Sequence, residues 1–364
     1  MTRVAIVGGG LAGFVTYLTL IHGGIDPEEI TVLAPDSDPA AAWRRRAAAI
    51  RQTHMRSESD GHCLPTSFPG LAVRDARRRR TLTPLLRSIC DRYHPTVIDF
   101  LDHVEELRGR SGWSARVRSA RVERVRALAD GFELDGHGVF RHVLLATGHP
   151  GNVVPEELRD DPRTVHAYEP HDYAKSVCVV GAGLAAATEW VNALSTGSTV
   201  ISVRRREPAR RPLNVPRPYL TRRGLTAFHR LPDERRVATL RELLAPSYPP
   251  GREWDEPIAR AAAEGRFRVE AAVNGADQVI CATGFLRGYR HDPLLRRLVD
   301  EHDLATAGDR WIVLDTDSSV PALTNESRTI ALAGVSAQWA YPAADTLMGA
   351  RYAAHAFLRR CRTR

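Results

Sequence analysis

Two glycine patterns carry the chemistry this chain offers. In "VAIVGGGLAG" Gly8, Gly10 and Gly13 stand in a Gly-x-Gly-x-x-Gly spacing; in "VCVVGAGLAA" Gly181, Gly183 and Ala186 repeat it with alanine in the last place. After a strand, the first glycine of such a turn permits a tight bend and the second lets a diphosphate approach the backbone. The small third residue lets the following helix pack close to the sheet. That helix presents free N–H groups and its positive dipole end to phosphate oxygens. Loop glycines also arise by chance, so the pattern counts only where it follows an apolar strand and opens a helix. Both copies do so.

The residue ending the next strand discriminates further. A carboxylate there suits a ribose 2′-hydroxyl, whereas arginine accommodates a 2′-phosphate. In "TVISVRRREP" Arg204 and Arg205 occupy the place, and a guanidinium fork fits a phosphate dianion. The second site therefore favours NADPH over NADH. The competing reading is a solvated basic face in an arginine-rich chain. In the first copy Ala34 stands at the expected position, with Asp36 as the nearest acid.

The elements that must position these turns are duplicated too. Arg3 to Val7 reads as a buried parallel strand, Leu11 to Ile21 as a helix stopped by Gly23 and Gly24, and "EITVLAP" as the next strand. Further on, "FELDGHGVFRHVLLATG" predicts a hairpin about Asp135-Gly136 whose second arm ends in Ala146, Thr147 and Gly148. The order then returns: strand from Ser176, helix Leu184 to Leu194, stop at Gly197, strand from Thr199. A second hairpin is expected about Asn274-Gly275, ending in Ala282, Thr283 and Gly284.

At 364 residues, 43% of them apolar, the chain predicts two domains. The stretch after Gly148 reads as an interdomain linker and Asn214 to Gly251, rich in proline, as an irregular excursion. The strand "TIALAGV" from Thr329 has no partner in its own segment, so it belongs back in the first sheet; a helix from about Asp345 to Arg360 closes the chain. The expected fold class is α/β, with two Rossmann-like dinucleotide-binding domains, the second inserted into the first: 1–165 and 286–364 around 166–285.

The net charge of +8 rests on arginine, Lys175 being the only lysine. The arginine runs lack interleaved aromatics, which speaks against a nucleic-acid partner. Cys63, Cys90, Cys178, Cys281 and Cys361 form no Cys-x-x-Cys pair, pointing to a reducing compartment without a zinc ribbon or dithiol centre. With no cleavable leader pattern and no run of about eighteen apolar residues, no membrane partner is expected and a cytoplasmic location is.

The double fingerprint, the two Ala-Thr-Gly strand ends, "DQVICATGF" and "SVRRREP" together resemble the two-dinucleotide-binding-domain flavoproteins. Within them the chain looks most like class B flavin monooxygenases, the group of flavin-containing, Baeyer–Villiger and N-hydroxylating enzymes. The resemblance implies FAD at Gly8, Gly10 and Gly13, with the Val122 backbone, on a strand, offered to the adenine and Gly148 beside the cofactor. Gly334 in "ALAGV" matches the last FAD-binding strand, although Val335 follows where disulfide-reductase relatives carry aspartate. NADPH would lie at Gly181, Gly183, Ala186, Arg204, Arg205 and Gly284. The linker signature Phe-x-Gly-x-x-x-His is half present: His166 supplies its histidine, but Asp160 and Pro162 hold the other two places.

The implied reaction takes a small-molecule substrate and molecular oxygen. NADPH reduces FAD, oxygen adds to the flavin, and the hydroperoxide passes one atom to nitrogen, sulfur or a carbonyl. The alternatives are an NADPH-dependent flavoprotein reductase without oxygen insertion, and a non-catalytic nucleotide sensor. Candidate catalytic residues come from the polar loop "RQTHMRSESDGHCLPTSFP", namely His54, Arg56, Ser57 and Asp60, and from Gln338 after the last FAD strand. Asp345 and Thr346 open the closing helix, whose N-terminal amides could face the flavin's pyrimidine oxygen.

Overall fold

The computed structural model describes residues 3–55, 70–89, 93–211, 213 and 215–362. Its first part runs β1 (Val4–Val7), α1 (Leu11–His22), β2 (Ile30–Ala34), α2 (Ala41–Ala49), α3 (Leu71–Arg79), α4 (Thr83–Ile89), α5 (Val97–Ser111) and α6 (Trp113–Arg116). Then come β3 (Val117–Ser119), β4 (Val125–Leu128), β5 (Gly131–Leu134), β6 (Gly138–Phe140) and β7 (His142–Leu145). The middle holds β8 (Thr164–His166), β9 (Ser176–Val180), α7 (Leu184–Ser195), β10 (Thr199–Val203), β11 (Ala209–Arg210), α8 (Arg222–His229) and α9 (Asp233–Leu243). It continues through β12 (Ser247–Tyr248), α10 (Arg252–Ala263), β13 (Phe267–Glu270) and β14 (Gln278–Cys281). The last part is α11 (Pro293–His302), β15 (Thr306–Ala307), β16 (Trp311–Ile312), β17 (Thr329–Leu332) and α12 (Leu347–Arg362).

Two parallel sheets organise these elements. The first has the order β17-β7-β1-β2-β3 and the second β13-β10-β9-β14-β8. In each, the strand feeding the glycine turn lies at the centre, its successor on one side and the Ala-Thr-Gly strand on the other. Their apolar runs follow from burial on both faces: Val4, Ala5, Ile6, Val177, Cys178 and Val179 are all 0% exposed. Helices supply the covering layers, α12 returning against α1. Because β17 pairs with β7, residue Thr329 opposite His142, the chain comes back to the first sheet after building the second. The second unit is thus inserted in the first.

Four local expectations change. The Asp135-Gly136 hairpin forms from β5 and β6, but its second arm breaks at Arg141 and β7 leaves for the parallel sheet. The chain bends at Gly275, which has φ +60°, but β13 and β14 do not pair. They join β10 and β9 respectively, both in parallel. The apolar run of β14 is buried on both faces, which a two-stranded hairpin cannot provide. The proline-rich excursion is largely helical, its prolines falling outside α8 and α9. Val122 is buried but lies in the irregular connection between β3 and β4 rather than on a strand.

Candidate functional site

The two glycine turns are built alike. Gly8 has φ +111° and a Cβ there would meet the Ala146 carbonyl oxygen at 2.2 Å; Gly181 has φ +139° and would meet that of Ala282 at 2.4 Å. The same backbone bonds fix both turns. Gly8 N–H donates to Leu33 O at 2.9 Å and Gly181 N–H to Val203 O at 3.0 Å, while Ala146 and Ala282 donate to Val7 O and Val180 O at 2.7 and 2.8 Å. At the third position Gly13 is obligatory, since a Cβ would lie 2.1 Å from Gly8 O. Ala186 fills the corresponding place fully buried, so the second turn leaves room for a methyl group.

The middle glycines differ in kind from their neighbours. A Cβ on Gly10 or Gly183 would meet nothing within 4 Å. Packing does not demand glycine there: open space lies over the backbone. Each is the N-cap of its helix, with extended backbone, no side-chain cap and no acid in the first turn. The leading amides and the helix dipole therefore face that space uncompensated, which is the electrostatics of an anion site. Both cradles fit a nucleotide diphosphate.

The Ala-Thr-Gly ends bring the two cradles toward each other. Gly148 and Gly284 both have left-handed backbone, φ +76° and +81°. The segments beyond them run antiparallel: Leu286 N–H donates to Gly151 O at 2.8 Å, Val153 N–H to Gly284 O at 2.9 Å, and the Thr283 hydroxyl to Val153 O. On this seam stands a column of rings. His149 stacks on Phe285 at 4.2 Å and Tyr168 stacks on Phe285 at 4.8 Å, while the Arg46 guanidinium lies 4.4 Å from the Phe285 centroid. Burial pushes His149 down to about 3, with Arg287 and Arg46 adding to the effect, so its imidazole is neutral. His166 accepts the Tyr168 N–H at Nδ1 and therefore donates from Nε2 to Gly284 O, at 3.2 Å each. It is a buried brace of the seam.

The end of β17 closes on the first glycine turn. Gly334, at φ +68°, would carry a Cβ 3.5 Å from Ala12 Cβ in the first turn of α1. Gln338 follows, 2% exposed, and its Nε2 has no hydrogen-bond partner among the described residues; Thr147 Oγ1 is likewise unpartnered. Gln338 lines a narrow cleft of about 20 Å³ with Gly148, Arg287, Tyr289 and Ser336. Buried donors left unmade are costly and mark a place where a ligand or water belongs. Asp345 is exposed in the turn before α12. Thr346 is half-buried, and its hydroxyl accepts the Gly349 N–H at 3.2 Å, so it takes up one of the α12 amides expected to be free.

Other sequence candidates are placed as follows. Arg204 directly follows β10 but is tied to Glu207 at 2.7 Å and lies 5.6 Å from the Trp190 centroid, whereas Arg205 is exposed and carries no ion pair among the described residues. Asp36 is exposed past β2 and accepts the Asp38 N–H at 2.9 Å. His54 is exposed, bridged by backbone to Thr96, its Nδ1 3.1 Å from Thr53 Oγ1; none of these contacts reaches the glycine turns. Arg56, Ser57 and Asp60 lie outside the described residues. Sequence reading missed His149, Phe285, Tyr168 and Arg46. A ring side chain directly after each Ala-Thr-Gly was the available signal.

Comparison with solved structures finds the same architecture. An ornithine hydroxylase from Pseudomonas aeruginosa superimposes with a TM-score of 0.71 at 16% identity, covering 99% of both chains. An ornithine N-hydroxylase of Kutzneria sp. 744, in complex with reduced FAD, NADP+ and L-ornithine, gives 0.74 at 14% identity over 99% of each chain. A bacillithiol disulfide reductase from Bacillus cereus gives 0.60 at 15% identity, covering 99% of this chain and 98% of that one. No protein-family model and no curated protein sequence matches the chain. At such identities the likeness establishes the fold.

Proposed function

We propose that the protein is an NADPH-dependent flavoprotein monooxygenase acting on a small molecule. The observation that carries this reading is the pair of congruent, uncapped glycine cradles whose Ala-Thr-Gly neighbours meet in one seam. FAD belongs to the first cradle, held through the amides after Gly10, the space over Gly148 and the approach of Gly334 to Ala12. NADPH belongs to the second, through the amides after Gly183 and the guanidinium of Arg205. Bound FAD would supply the redox chemistry: reducing equivalents from NADPH, with one atom of molecular oxygen passing to a heteroatom or carbonyl and the other leaving as water.

The chain's own part is placement. Gln338 offers an unpartnered Nε2 donor at the cleft, and Thr147 a second unpartnered hydroxyl in the strand end next to Gly148. The neutral His149 ring, stacked on Phe285 with Tyr168 beyond, packs the seam without adding a charge of its own. The two ornithine hydroxylases of the same fold support oxygen insertion. The reductase fold relative raises dithiol exchange as the other reading. Cys178 and Cys281 are core residues whose thiols burial pushes up to about 11, and Cys361 is pushed up to about 12, so none of the three is a ready thiolate. Purified protein supplied with FAD should consume NADPH and oxygen together and, with its substrate, place one atom of labelled oxygen in the product. NADPH oxidation that yields only hydrogen peroxide with every amine, sulfide and ketone offered would favour the reductase reading.

A further inference from the structure

One contact between the two nucleotide-binding units does not follow from the glycine cradles. The last turn of α2, in the first unit, reaches into the second. Ile50 is 6% exposed and belongs to the apolar core around Trp190, Ala186 and Val179. Asn192 of α7 donates to Ile50 O at 2.8 Å. Arg51, held in left-handed backbone at φ +49°, lies 4.6 Å from the Tyr173 ring centroid and pairs with Asp172 at 3.1 Å. Beneath this strap, Glu189 of α7 is 0% exposed. It accepts the Tyr173 hydroxyl at 2.8 Å and faces His171 Nε2 at 3.0 Å through the same oxygen. The other nitrogen of His171 lies 2.7 Å from Glu169 O. Both ring nitrogens thus face acceptors only, and an imidazole meets two acceptors only when it carries two protons.

We propose that the buried His171–Glu189 ion pair is a pH-dependent anchor that seats the second nucleotide unit against the strap of α2, making both residues positioning residues for the meeting of the two cofactors. The proposal rests on the reading that two nucleotides meet at the seam, but the anchor itself is tested without either. Arg46, one helical turn before Ile50, lies on Phe285 in the ring column, so a shift of α2 is felt at the seam directly. The groups facing His171 are Glu189 from α7, Arg51 from the end of α2, and Glu169, Asp172 and Tyr173 from its own segment. Burial lowers the pKa of His171, the hydrogen bonds to Glu189 and Glu169 O and the charge of Glu189 raise it, and Arg51 opposes them; the outcome is a raised value. A raised histidine pKa gives stability that is present below about 6.5 and lost as pH rises through the folded-state value. Deprotonation would leave a lone pair against an acceptor and a buried carboxylate without its cation.

The test is hydrogen exchange on the cofactor-free full chain from pH 6 to pH 9, corrected for intrinsic rates. In the wild type, peptides covering 46–52 and 168–175 should lose protection at least tenfold across the titration while peptides of β1 and β7 keep theirs. Glu189→Gln should remove the pH dependence and leave those peptides unprotected throughout. Because that variant alters a buried site, a second one, Arg51→Ala, leaves the ion pair intact: it should loosen 46–52 while 168–175 keeps its pH-dependent protection. If protection of both segments in the wild type is independent of pH, or Glu189→Gln exchanges as the wild type does, the anchor is refuted. With FAD bound, Glu189→Gln should lower the limiting rate of NADPH oxidation while the FAD dissociation constant is unchanged. Failure of FAD to bind any variant, wild type included, would instead refute the flavoprotein reading and leave the exchange result standing.

Discussion

Gly10 separates what the fold needs from what the ligand needs, and Gly10→Ala tests the distinction. Its φ of −75° suits any residue and a Cβ would meet nothing within 4 Å, so alanine adds neither strain nor a clash. Alanine is a poorer N-cap than glycine by roughly 0.5–1 kcal/mol. It also restricts the unfolded chain, which returns about 0.4–1 kcal/mol. The two nearly cancel, and the melting temperature of the cofactor-free protein should move by no more than about 2–4 °C. The same methyl group stands in the space through which the diphosphate reaches the helix amides. Losing one hydrogen bond to a charged group costs about 1.5–3 kcal/mol, so FAD should bind roughly ten- to a hundredfold more weakly. Flavin fluorescence titration and a thermal melt on the same preparation read both quantities. Unchanged FAD affinity, or a collapse of the cofactor-free fold, would refute the reasoning.

Gly8→Ala should behave oppositely: with φ +111° and a carbonyl oxygen at 2.2 Å, it should cost about 3 kcal/mol or more in denaturant unfolding of the cofactor-free chain. Arg205→Ala should raise the dissociation constant for NADPH about tenfold and leave that for NADH unchanged in equilibrium titrations, whereas Arg204→Ala, which breaks an existing ion pair, should change the ratio less. His142, 1% exposed on β7, is held down to about 4 by burial, with Arg141 and Arg3 adding to the effect. A lowered histidine pKa gives stability that is full above about 6.5 and falls by up to about 3 kcal/mol as pH drops through the folded value. His142→Val should flatten that part of the stability profile between pH 7 and pH 4; an identical slope in the variant would show that this residue does not cause it.

What was legible in the sequence was what local geometry dictates. Gly8 and Gly181 are fixed by positive φ and by a neighbouring carbonyl, so their spacing carries the turn wherever it occurs. The double apolar runs of β1 and β9 report burial on both faces, which only a covered parallel sheet supplies. Asn274-Gly275 misled because a turn signal is local and does not say with which strand its arms will pair. β14 found β9 rather than β13. The ring column was illegible for a related reason: Arg46 and Phe285 are adjacent only because the inserted unit folds back over α2. Ile50 was equally silent, since an apolar residue at a helix end gives no sign of which core it enters.

Anaerobic mixing of the FAD-loaded protein with NADPH tests the meeting of two nucleotides across the seam most directly. The visible flavin absorbance should bleach, faster with NADPH than with NADH, and return when air is admitted. A protein that takes up FAD but whose absorbance NADPH leaves untouched, or one that stays colourless when FAD is supplied, would contradict it.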